Sequence, residues 1–453
     1  MKNLIQKYNI PGPRYTSYPT VPFWDEAGFT KEKWIETFQQ SFIESNDTEG
    51  ISLYIHLPFC ESLCTFCACN KRITIQHNVE VSYIETVLKE WQIYLDLMPT
   101  KPVVKEIHLG GGTPTFFSPE NLKILLEGIL NTSIIAEGYE FSLEGHPNNT
   151  TKEHLQVLFD LGFRRVSYGV QDYDLKVQKA INRIQPFENV KRATEVAREI
   201  GYTSISHDLI FGLPHQTLAG MIDTINKTKE LNPDRISFYS YAHVPWIKGV
   251  GQRGFKDEDL PTPELKRELY ETGKQMFEDL EYFEIGMDHF ALVQDSMYQS
   301  MVNKSLHRNF MGYSSSKTQV MIGLGVSSIS DSWYSFAQNE KTVEEYETSI
   351  NKGELSVYRG HILSEEDLII RRHILNLMCN FETSWENENM KFNGIDNVKS
   401  MLKGMEEDDL IIIKENGIEV KEAGRPFVRN ICMSLDLRML KKQPETRIFS
   451  MTI

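Results

Sequence analysis

The sequence predicts an α/β protein built on a partial (β/α)6 barrel, with an N-terminal arm and a mostly helical C-terminal domain. Between residues 50 and 290, six short runs rich in β-branched residues alternate with longer amphipathic segments. The predicted strands are 51–57, 104–109, 139–144, 164–170, 203–211 and 234–240. Units of this βα spacing form parallel sheets with right-handed crossovers, and six units fall short of a closed eight-stranded barrel.

The helices of the barrel are predicted from periodicity and capping residues. A stripe of apolar residues at helical spacing follows the first strand: Ile84, Val87, Leu88, Trp91 and Leu95. Ser118 followed by Pro119 is typical of an N-cap and a first helical turn. Thr150 with Glu153 fits the pattern of a capping box. A polar loop is predicted at 246–262 and a helix at 265–280.

We predict four regions: an arm over the active site (1–45), the barrel (46–290), a segment that extends the barrel and contacts substrate (291–360), and a helical domain (361–453). In the arm, the prolines between Pro11 and Pro19 rule out a regular element there. The last region is predicted to contain helices at 364–379, 396–405 and 424–436, with a hairpin around residues 415–417. This order resembles a winged helix, so DNA binding is one alternative function.

Composition excludes several classes of protein. The chain has 453 residues, 40% of them hydrophobic and 25% charged, as in globular proteins. No stretch of about twenty apolar residues is present, so we expect no membrane span. The start of the sequence lacks the apolar core of an export signal, and we expect a cytoplasmic protein. A net charge of −15, with an acidic run at 406–409, disfavours nucleic acid as a partner.

Four of the six cysteines lie between residues 60 and 69. Cys60, Cys64 and Cys67 have the spacing C-x3-C-x2-C, which allows one short loop to place three thiolates around an iron–sulfur cluster. Three close ligands without a fourth indicate an iron that is open to a small molecule. Disulfides and a structural zinc site are the alternatives, but the remaining cysteines, Cys379 and Cys432, are isolated and far apart.

Polar and glycine residues follow several predicted strands. Three glycines at 110–112 follow the second strand, and glycine lets a backbone approach a ligand closely. Glu144 ends the third strand, where a carboxylate can accept hydrogen bonds from a ribose. Gln171, Arg183 and Asp208 lie at or after the ends of the next two strands. Singly, such residues are usually solvated, but their shared sheet edge favours a binding site.

Together, these features resemble the radical S-adenosylmethionine (SAM) enzymes, and specifically the oxygen-independent coproporphyrinogen III oxidase family. The resemblance extends over nearly the whole chain. The matching segments are PRYTSYPT at 13–20, GVQD at 169–172, DLIFGLP at 208–214, NPDR at 232–235, GMDHF at 286–290, LHRNF at 306–310 and RNICM at 429–433.

The resemblance implies two groups of cofactor. Cys60, Cys64 and Cys67 would ligate a 4Fe–4S cluster, and Cys69 matches an additional cysteine of the family that is not a ligand. The first SAM would be held by Tyr54, Gly111, Glu144 and Ile329. A second SAM would be held by Phe66, Gly112, Thr113, Gln171, Arg183, Asp208 and Ala242.

The resemblance also implies the reaction. One electron cleaves SAM to methionine and a deoxyadenosyl radical, which removes a hydrogen from a propionate side chain of coproporphyrinogen III. Loss of carbon dioxide and a further electron leaves a vinyl group, and two such reactions give protoporphyrinogen IX. The implied partners are a flavodoxin- or ferredoxin-type reductant and an electron acceptor that the sequence does not identify. We expect a monomer.

An acidic protein that binds a tetracarboxylate needs local cationic donors. We assign this role to Arg14 of the arm and to His307 and Arg308, followed by Arg183 if that residue is not committed to SAM. Tyr15 and Tyr18 either stack over the tetrapyrrole or anchor the arm.

Two residues depart from the family pattern: His146, where relatives have aspartate, and His207, where an apolar residue is expected. We interpret both as lineage drift, and an altered proton route or substrate is the alternative. Two other functions are alternatives to decarboxylation: a heme chaperone, and a radical SAM methyltransferase acting on tetrapyrroles. Cys69 and the Arg-Tyr-Thr-Ser-Tyr-Pro arm at 14–19 argue against both.

Overall fold

A computed structural model describes residues 2–244, 252, 254–442 and 448–452, so residues 246–251 and 253 of the predicted loop lie outside the described residues. The strands in this part of the chain are β1 Ile51–Leu57, β2 Phe59–Cys60, β3 Arg72–Ile73, β4 Val103–Gly111, β5 Ile134–Gly145, β6 Arg165–Gln171, β7 Ser204–Phe211, β8 Arg235–Ser240, β9 Phe283–Gly286, β10 His289–Ala291, β11 His307–Asn309, β12 Gly312–Ser314, β13 Val320–Leu324, β14 Ile329–Asp331, β15 Ser335–Asn339, β16 Val357–Ile362, β17 Glu382–Ser384, β18 Ile411–Lys414 and β19 Gly417–Val420. The α-helices are α1 Lys2–Tyr8, α2 Lys31–Ser45, α3 Val79–Leu97, α4 Pro119–Leu130, α5 Lys152–Asp160, α6 Leu175–Ala180, α7 Phe187–Ile200, α8 Leu218–Leu231, α9 Pro263–Asp279, α10 Ser296–Val302, α11 Val343–Asn351, α12 Glu365–Asn380, α13 Ile395–Glu407, α14 Val428–Leu435 and α15 Leu437–Lys441.

The predicted barrel strands lie in one large sheet, whose order among the described residues is β16-β15-β14-β13-β1-β4-β5-β6-β7-β8-β10-β9. Strands β1, β4, β5, β6, β7 and β8 pair in parallel, as predicted. The sequence analysis missed β13, which pairs in parallel with the free edge of β1 and places Val320 beside Ile51. Different strands form the two ends of the sheet, so the barrel is open and the predicted partial (β/α)6 fold is confirmed.

The helices cover the outer face of the sheet. The predicted stripe of α3 points inward, with Ile84, Val87 and Trp91 at most 2% exposed. These side chains join one continuous apolar cluster with the strands. Full burial of each such aliphatic side chain stabilises the fold by about 1.5–3 kcal/mol. The parallel direction of the strands then places all their carboxyl ends, and hence the predicted site, at one edge.

Local capping agrees with the prediction for α4 and corrects it for α5. Ser118 accepts a hydrogen bond from the backbone N–H of Asn121 at 3.2 Å. The capping box of α5 is formed by Thr151 and His154, not by Thr150 and Glu153. The hydroxyl of Thr150 donates instead to the carbonyl of His146 at 2.9 Å, which leaves the next threonine as the cap.

The described part of the predicted arm contains two α-helices that the sequence analysis missed, and the first of them is α1, Lys2–Tyr8. Residues 31–45 form α2, which packs against β13, β15 and β16. Its residues Trp34, Phe38 and Phe42 are fully buried at i, i+4 and i+8, a spacing that indicates a helix. Residues 9–20 form no helix or named strand, as the prolines predicted.

The C-terminal region follows the predicted order of helices and hairpin. Strands β17, β19 and β18 form a separate antiparallel sheet, and α12 packs against α14. The predicted helix 424–436 begins later than expected, because 422–427 is a short 3-10 segment that contains Pro426 and α14 begins at Val428. No helix in the described part of the chain is long and apolar enough to cross a membrane.

Candidate active site

The three cysteines of the C-x3-C-x2-C pattern lie at the carboxyl edge of the sheet. Cys60 ends β2, just after β1, while Cys64 and Cys67 follow in an irregular loop. All three thiols are partly exposed and line one cavity of about 180 Å³. The backbone N–H of Thr65 donates to the carbonyl of Ile181 at 2.9 Å, which fixes the loop against the segment after β6.

The thiols of this loop differ in acidity. Burial raises the pKa of the Cys60 thiol to about 11, whereas a hydrogen bond from Cys69 lowers the pKa of Cys67. Cys69 itself is exposed and does not line the cavity. Since thiolates are the ligands, uptake of a metal cluster would release protons here. Among the described residues, no three Cys, His, Asp or Glu side chains converge as a single metal ion requires.

The glycines at and just after the end of β4 allow a close approach of two strand ends. A Cβ at Gly112 would lie 2.4 Å from the carbonyl oxygen of Pro58, and its N–H donates to Leu57 at 2.8 Å. Gly111 has φ +116°, and a Cβ there would lie 2.9 Å from the ring of His56. Larger residues would therefore push β4 away from the start of the cysteine loop. The glycines are required by the protein backbone itself, as well as leaving space for a ligand.

The residues predicted for the first SAM are Tyr54, Gly111, Glu144 and Ile329. Tyr54 and Glu144 lie on the two sides of Gly110, since a Cβ at that glycine would be 2.9 Å from the tyrosine ring and 3.1 Å from the carboxylate. Tyr54 is in register with Gly323 of β13, and a Cβ at Gly323 would lie 2.5 Å from the carbonyl of Ile329. The fold therefore places Tyr54 in the middle of β1, Gly111 and Glu144 at the carboxyl ends of β4 and β5, and Ile329 at the start of β14.

The residues predicted for the second SAM are Phe66, Gly112, Thr113, Gln171, Arg183, Asp208 and Ala242. Arg183 donates to the carbonyl of Gly169 at 2.7 Å and to the sulfur of Cys64 at 3.7 Å. The side chain of Gln171 also lies against Gly169, and Asp208 of β7 is paired in register with Gly169. The set therefore extends from the cysteine cavity along the ends of β6 and β7.

Gln252, which the sequence analysis missed, links the remaining members of that set. Its amide donates to the carbonyls of Phe66 at 3.4 Å and of Ala242 at 2.9 Å. Thr113 meets the cysteine loop from the other side, with its hydroxyl 3.3 Å from the sulfur of Cys60. No sequence pattern points to Gln252, because its contact with Phe66 joins residues that are 186 positions apart in the chain.

The two unusual histidines occupy different environments. His207 is fully buried on the outer face of β7, where its Nε2 lies 3.1 Å from the hydroxyl of Thr194 on α7. The next residue, Asp208, points to the opposite face, as strand alternation requires. His146 lines the cysteine cavity, and burial, with the charge of Arg183, lowers its pKa to about 3. Only His146 therefore adjoins the predicted SAM sites.

A buried charge network inside the barrel was not predicted. Arg235 donates to Asp295 at 2.6 Å, and Arg165 lies 3.1 Å from Glu140. Although burial raises the pKa of Glu140, the two arginines together lower it to about 2. With Glu106, both arginines line a second cavity of about 90 Å³ that also reaches the carboxylates of the two predicted SAM sets. Charged residues at alternating strand positions were the sequence signal for it.

The arm lies against the barrel and the C-terminal region. Arg14 forms an ion pair with Asp288, in the turn between β9 and β10. The hydroxyl of Tyr15 donates to Asp436 at 3.1 Å. Both Tyr15 and Tyr18 are 2% exposed within the C-terminal apolar cluster. Of the two interpretations of these tyrosines, the structure favours anchoring of the arm.

His307 and Arg308 lie in β11 and are 7% and 4% exposed. Arg308 donates to the carbonyls of Arg14 at 3.1 Å and Tyr15 at 3.3 Å, so it holds the arm. Burial, with the charge of Arg371, lowers the pKa of His307 to about 3. Neither His307 nor Arg308 lines the cysteine cavity.

Comparison with known proteins agrees with this geometry. The model of the radical SAM superfamily matches residues 54–228, which contain the cysteine loop and the strands up to β7. The chain is 40% identical to the oxygen-independent coproporphyrinogen III oxidase of Helicobacter pylori over 442 residues, 95% of each chain. It is 36% identical to the enzyme of the same name from Pseudomonas aeruginosa over 98% of both chains.

A solved structure extends the similarity to the whole fold. Coproporphyrinogen III oxidase from Escherichia coli, described as a radical SAM enzyme, superposes with a TM-score of 0.89. That comparison covers 96% of this chain and 98% of the other, at 34% identity. The arm, the open barrel and the C-terminal region are therefore shared, and the chain belongs to the oxygen-independent coproporphyrinogen III oxidase family of radical SAM enzymes.

Proposed function

We propose that this chain converts coproporphyrinogen III to protoporphyrinogen IX, without oxygen, in heme and porphyrin biosynthesis. Two propionate side chains become vinyl groups, and each releases carbon dioxide, a proton and two electrons. The observation that carries the proposal is the match of nearly the whole chain, arm and C-terminal region included, to coproporphyrinogen III oxidases. The three-cysteine loop at the carboxyl edge of the barrel supports it chemically.

As a member of the radical SAM superfamily, the chain uses a 4Fe–4S cluster and SAM. When bound, these supply an electron and a carbon radical able to remove hydrogen from an unactivated carbon. Cys60, Cys64 and Cys67 would hold the cluster, since their thiols share one cavity. The exposed Cys69 has a separate role in this scheme, because it lies outside that cavity.

The proposal includes two molecules of SAM. Tyr54, Gly111, Glu144 and Ile329 would hold the first, beside the cysteine cavity. Phe66, Gly112, Thr113, Gln171, Arg183, Asp208 and Ala242 would hold the second. Support for the second site comes from contacts that tie its residues to the cysteine loop and to one another: Arg183 donates to Gly169 and Cys64, and Gln252 links Phe66 to Ala242. Burial raises the pKa of Asp208 to about 6, where a hydrogen-bonding ligand would favour its ionised form.

The remaining partners follow from the reaction. A flavodoxin- or ferredoxin-type protein would supply the electron, and a separate acceptor would take the electrons of decarboxylation. We propose that the enzyme acts as a monomer. Arg14 would meet a substrate propionate, with His307 and Arg308 acting through the arm that Arg308 holds.

The test is an anaerobic assay of the reconstituted enzyme with a chemical reductant, SAM, coproporphyrinogen III and an electron-accepting cell extract. We expect the tripropionate and then the divinyl product, together with 5′-deoxyadenosine, by mass spectrometry. Formation of deoxyadenosine without loss of carbon dioxide would exclude this substrate while leaving radical SAM chemistry in place. Absence of both products from a fully loaded enzyme would contradict the proposed function as a whole.

A further inference from the structure

A large cavity lies beyond the predicted cofactor sites and was not anticipated from the sequence. It has a volume of about 300 Å³, within the range of ligand pockets, and is bounded by the ends of β7 and β8, by α9, by the arm and by the C-terminal region. Its walls are largely apolar, with Phe211, Tyr241, Tyr270 and Met287 among them. An apolar interior of this kind suits a ring system rather than a small polar ion.

The charged side chains of this cavity are mainly cationic. Its cations are Arg14, Lys266, Arg267, Arg425 and Arg429, and its carboxylates are Glu284 and Asp288. Both carboxylates form ion pairs, Asp288 with Arg14 and Glu284 with Lys274. Lys266 donates a hydrogen bond to the carbonyl of Tyr241 at 3.0 Å. The positive charge is concentrated here in a protein whose net charge is −15, so the cavity is suited to a carboxylate ligand.

Arg429 is the most buried of these cations, at 4% exposed. It donates to the carbonyls of Pro13 at 2.8 Å and Met451 at 3.0 Å and to that of Gly12. Carbonyls satisfy its hydrogens but do not neutralise its charge. Burial, with the charge of Arg14, lowers its pKa to about 9, and the carboxylate of Asp288 opposes only part of this effect. An anionic ligand would offset this repulsion between two guanidinium groups.

The cavity adjoins the cysteine loop in space. Tyr241 and His243 line it and flank Ala242, whose carbonyl is joined through Gln252 to Phe66 of that loop. A ligand in the cavity would therefore be beside the reaction centre rather than at it. A carboxylate paired with a cation is stabilised as the anion, which opposes loss of carbon dioxide.

We propose that this cavity binds the propionate side chains of the tetrapyrrole that are retained in the product, through Lys266, Arg14 and Arg429. The inference rests on the proposed function, since it assigns part of that substrate to a specific place. In this assignment, the cations hold the side of the ring that carries the retained propionates. The reactive propionates then face the cysteine loop.

The test measures binding rather than turnover. Reconstituted enzyme without reductant is dialysed anaerobically against coproporphyrinogen III, protoporphyrinogen IX or the tetramethyl ester of coproporphyrinogen III, and the bound ligand is quantified by fluorescence after oxidation. Lys266→Met should weaken binding of substrate and product alike by roughly tenfold, because both carry the retained propionates. It should not change binding of the ester. Lys266→Arg should keep most of the affinity, and Lys229→Met, at an exposed site on α8, is the matched control.

The assignment would be overturned by equal affinities of Lys266→Met and wild type, by loss of affinity for substrate but not product, or by an equal loss for the ester. If wild type turns over coproporphyrinogen III while the Lys266→Met affinities are unchanged, only the cavity assignment fails. If wild type neither binds nor converts the substrate, the proposed function fails first. An equal loss in Lys229→Met would also contradict a site-specific role.

Discussion

At the scale of single residues, the proposed chemistry depends on Cys60, Cys64 and Cys67. Their spacing favours an iron–sulfur site over the alternatives of disulfides and structural zinc, and the fold places all three on one cavity. Cys69 is only two residues further along the chain but lies outside the cavity lining. The same short loop therefore contains a matched pair of cysteines for distinguishing a ligand from a neighbour.

We predict that Cys60→Ser abolishes both cluster assembly and SAM cleavage, because a serine hydroxyl is a poor substitute for a thiolate ligand of iron. Cys69→Ser, the matched control, should keep the cluster absorbance and lose product formation. Iron and sulfide analysis, absorbance near the cluster band and deoxyadenosine yield check both variants. Loss of the cluster in Cys69→Ser would make that residue a ligand, and a fully active Cys60→Ser enzyme would refute the cluster assignment.

A site residue could be predicted where its position follows from a local sequence pattern. It could not be predicted where its position depends on contacts with residues distant in the chain. Strand alternation explains why His207 faces α7 while Asp208 faces the barrel, but residue identity alone did not separate them. Arg308 was predicted to meet a propionate, yet it donates to the arm backbone, 293 residues away along the chain. Such a contact follows from the packing of the arm, which no local pattern encodes.

At the scale of elements, the strands and most helices could be predicted because their apolar periodicity is strong. The six barrel strands were placed within a few residues, apart from an early start of β5 at Ile134. The errors lie where tertiary contacts decide the structure. β13 is a short, fully buried run that gives no alternation, and the 3-10 segment before α14 delays that helix.

Glu90 of α3 joins three elements at the end of β13. Its carboxylate accepts hydrogen bonds from the N–H of Gly325 at 2.7 Å, the amide of Asn339 at 2.6 Å and the hydroxyl of Tyr346 at 2.7 Å. It is fully buried without a cationic partner among these contacts, and burial raises its pKa to about 7. Because the folded state holds the proton more tightly, this residue contributes stability at low pH that is lost as the pH rises through 7.

We therefore predict that Glu90→Gln becomes more stable relative to wild type as the pH rises from 5 to 8. The gain is expected to be up to about 3 kcal/mol, from a pKa raised from 4.5 to about 7. Denaturant unfolding of both proteins at several pH values measures it. Glu85→Gln, at an exposed site on the same helix, should show no such pH-dependent difference. A difference between Glu90→Gln and wild type that is constant with pH would refute the raised pKa.

At the scale of the whole molecule, the arm joins regions that are far apart in sequence. Arg308 of β11 and Arg429 of α14 both donate to arm carbonyls, between Gly12 and Tyr15. Tyr15 anchors the same segment in the C-terminal cluster. Since Arg14 lines the cationic cavity, the position of the arm decides whether its guanidinium faces the ligand. In the proposed function, the barrel supplies the cofactor sites, and Arg14 of the arm lines the neighbouring cavity.

We predict that Arg308→Gln loosens the arm and raises KM for coproporphyrinogen III by roughly tenfold, since hydrogen bonds from a charged donor contribute about 1.5–3 kcal/mol each. Cluster content and uncoupled SAM cleavage should stay close to wild type, because Arg308 does not line the cysteine cavity. Limited trypsin digestion provides a second readout, in which cleavage after Arg14 should become faster. Arg192→Gln, at an exposed site on α7, is the control and should change neither quantity. A raised KM with unchanged digestion would mean that Arg308 meets the substrate directly, and an equal loss of SAM cleavage would mean that the arm supports the cofactor site instead.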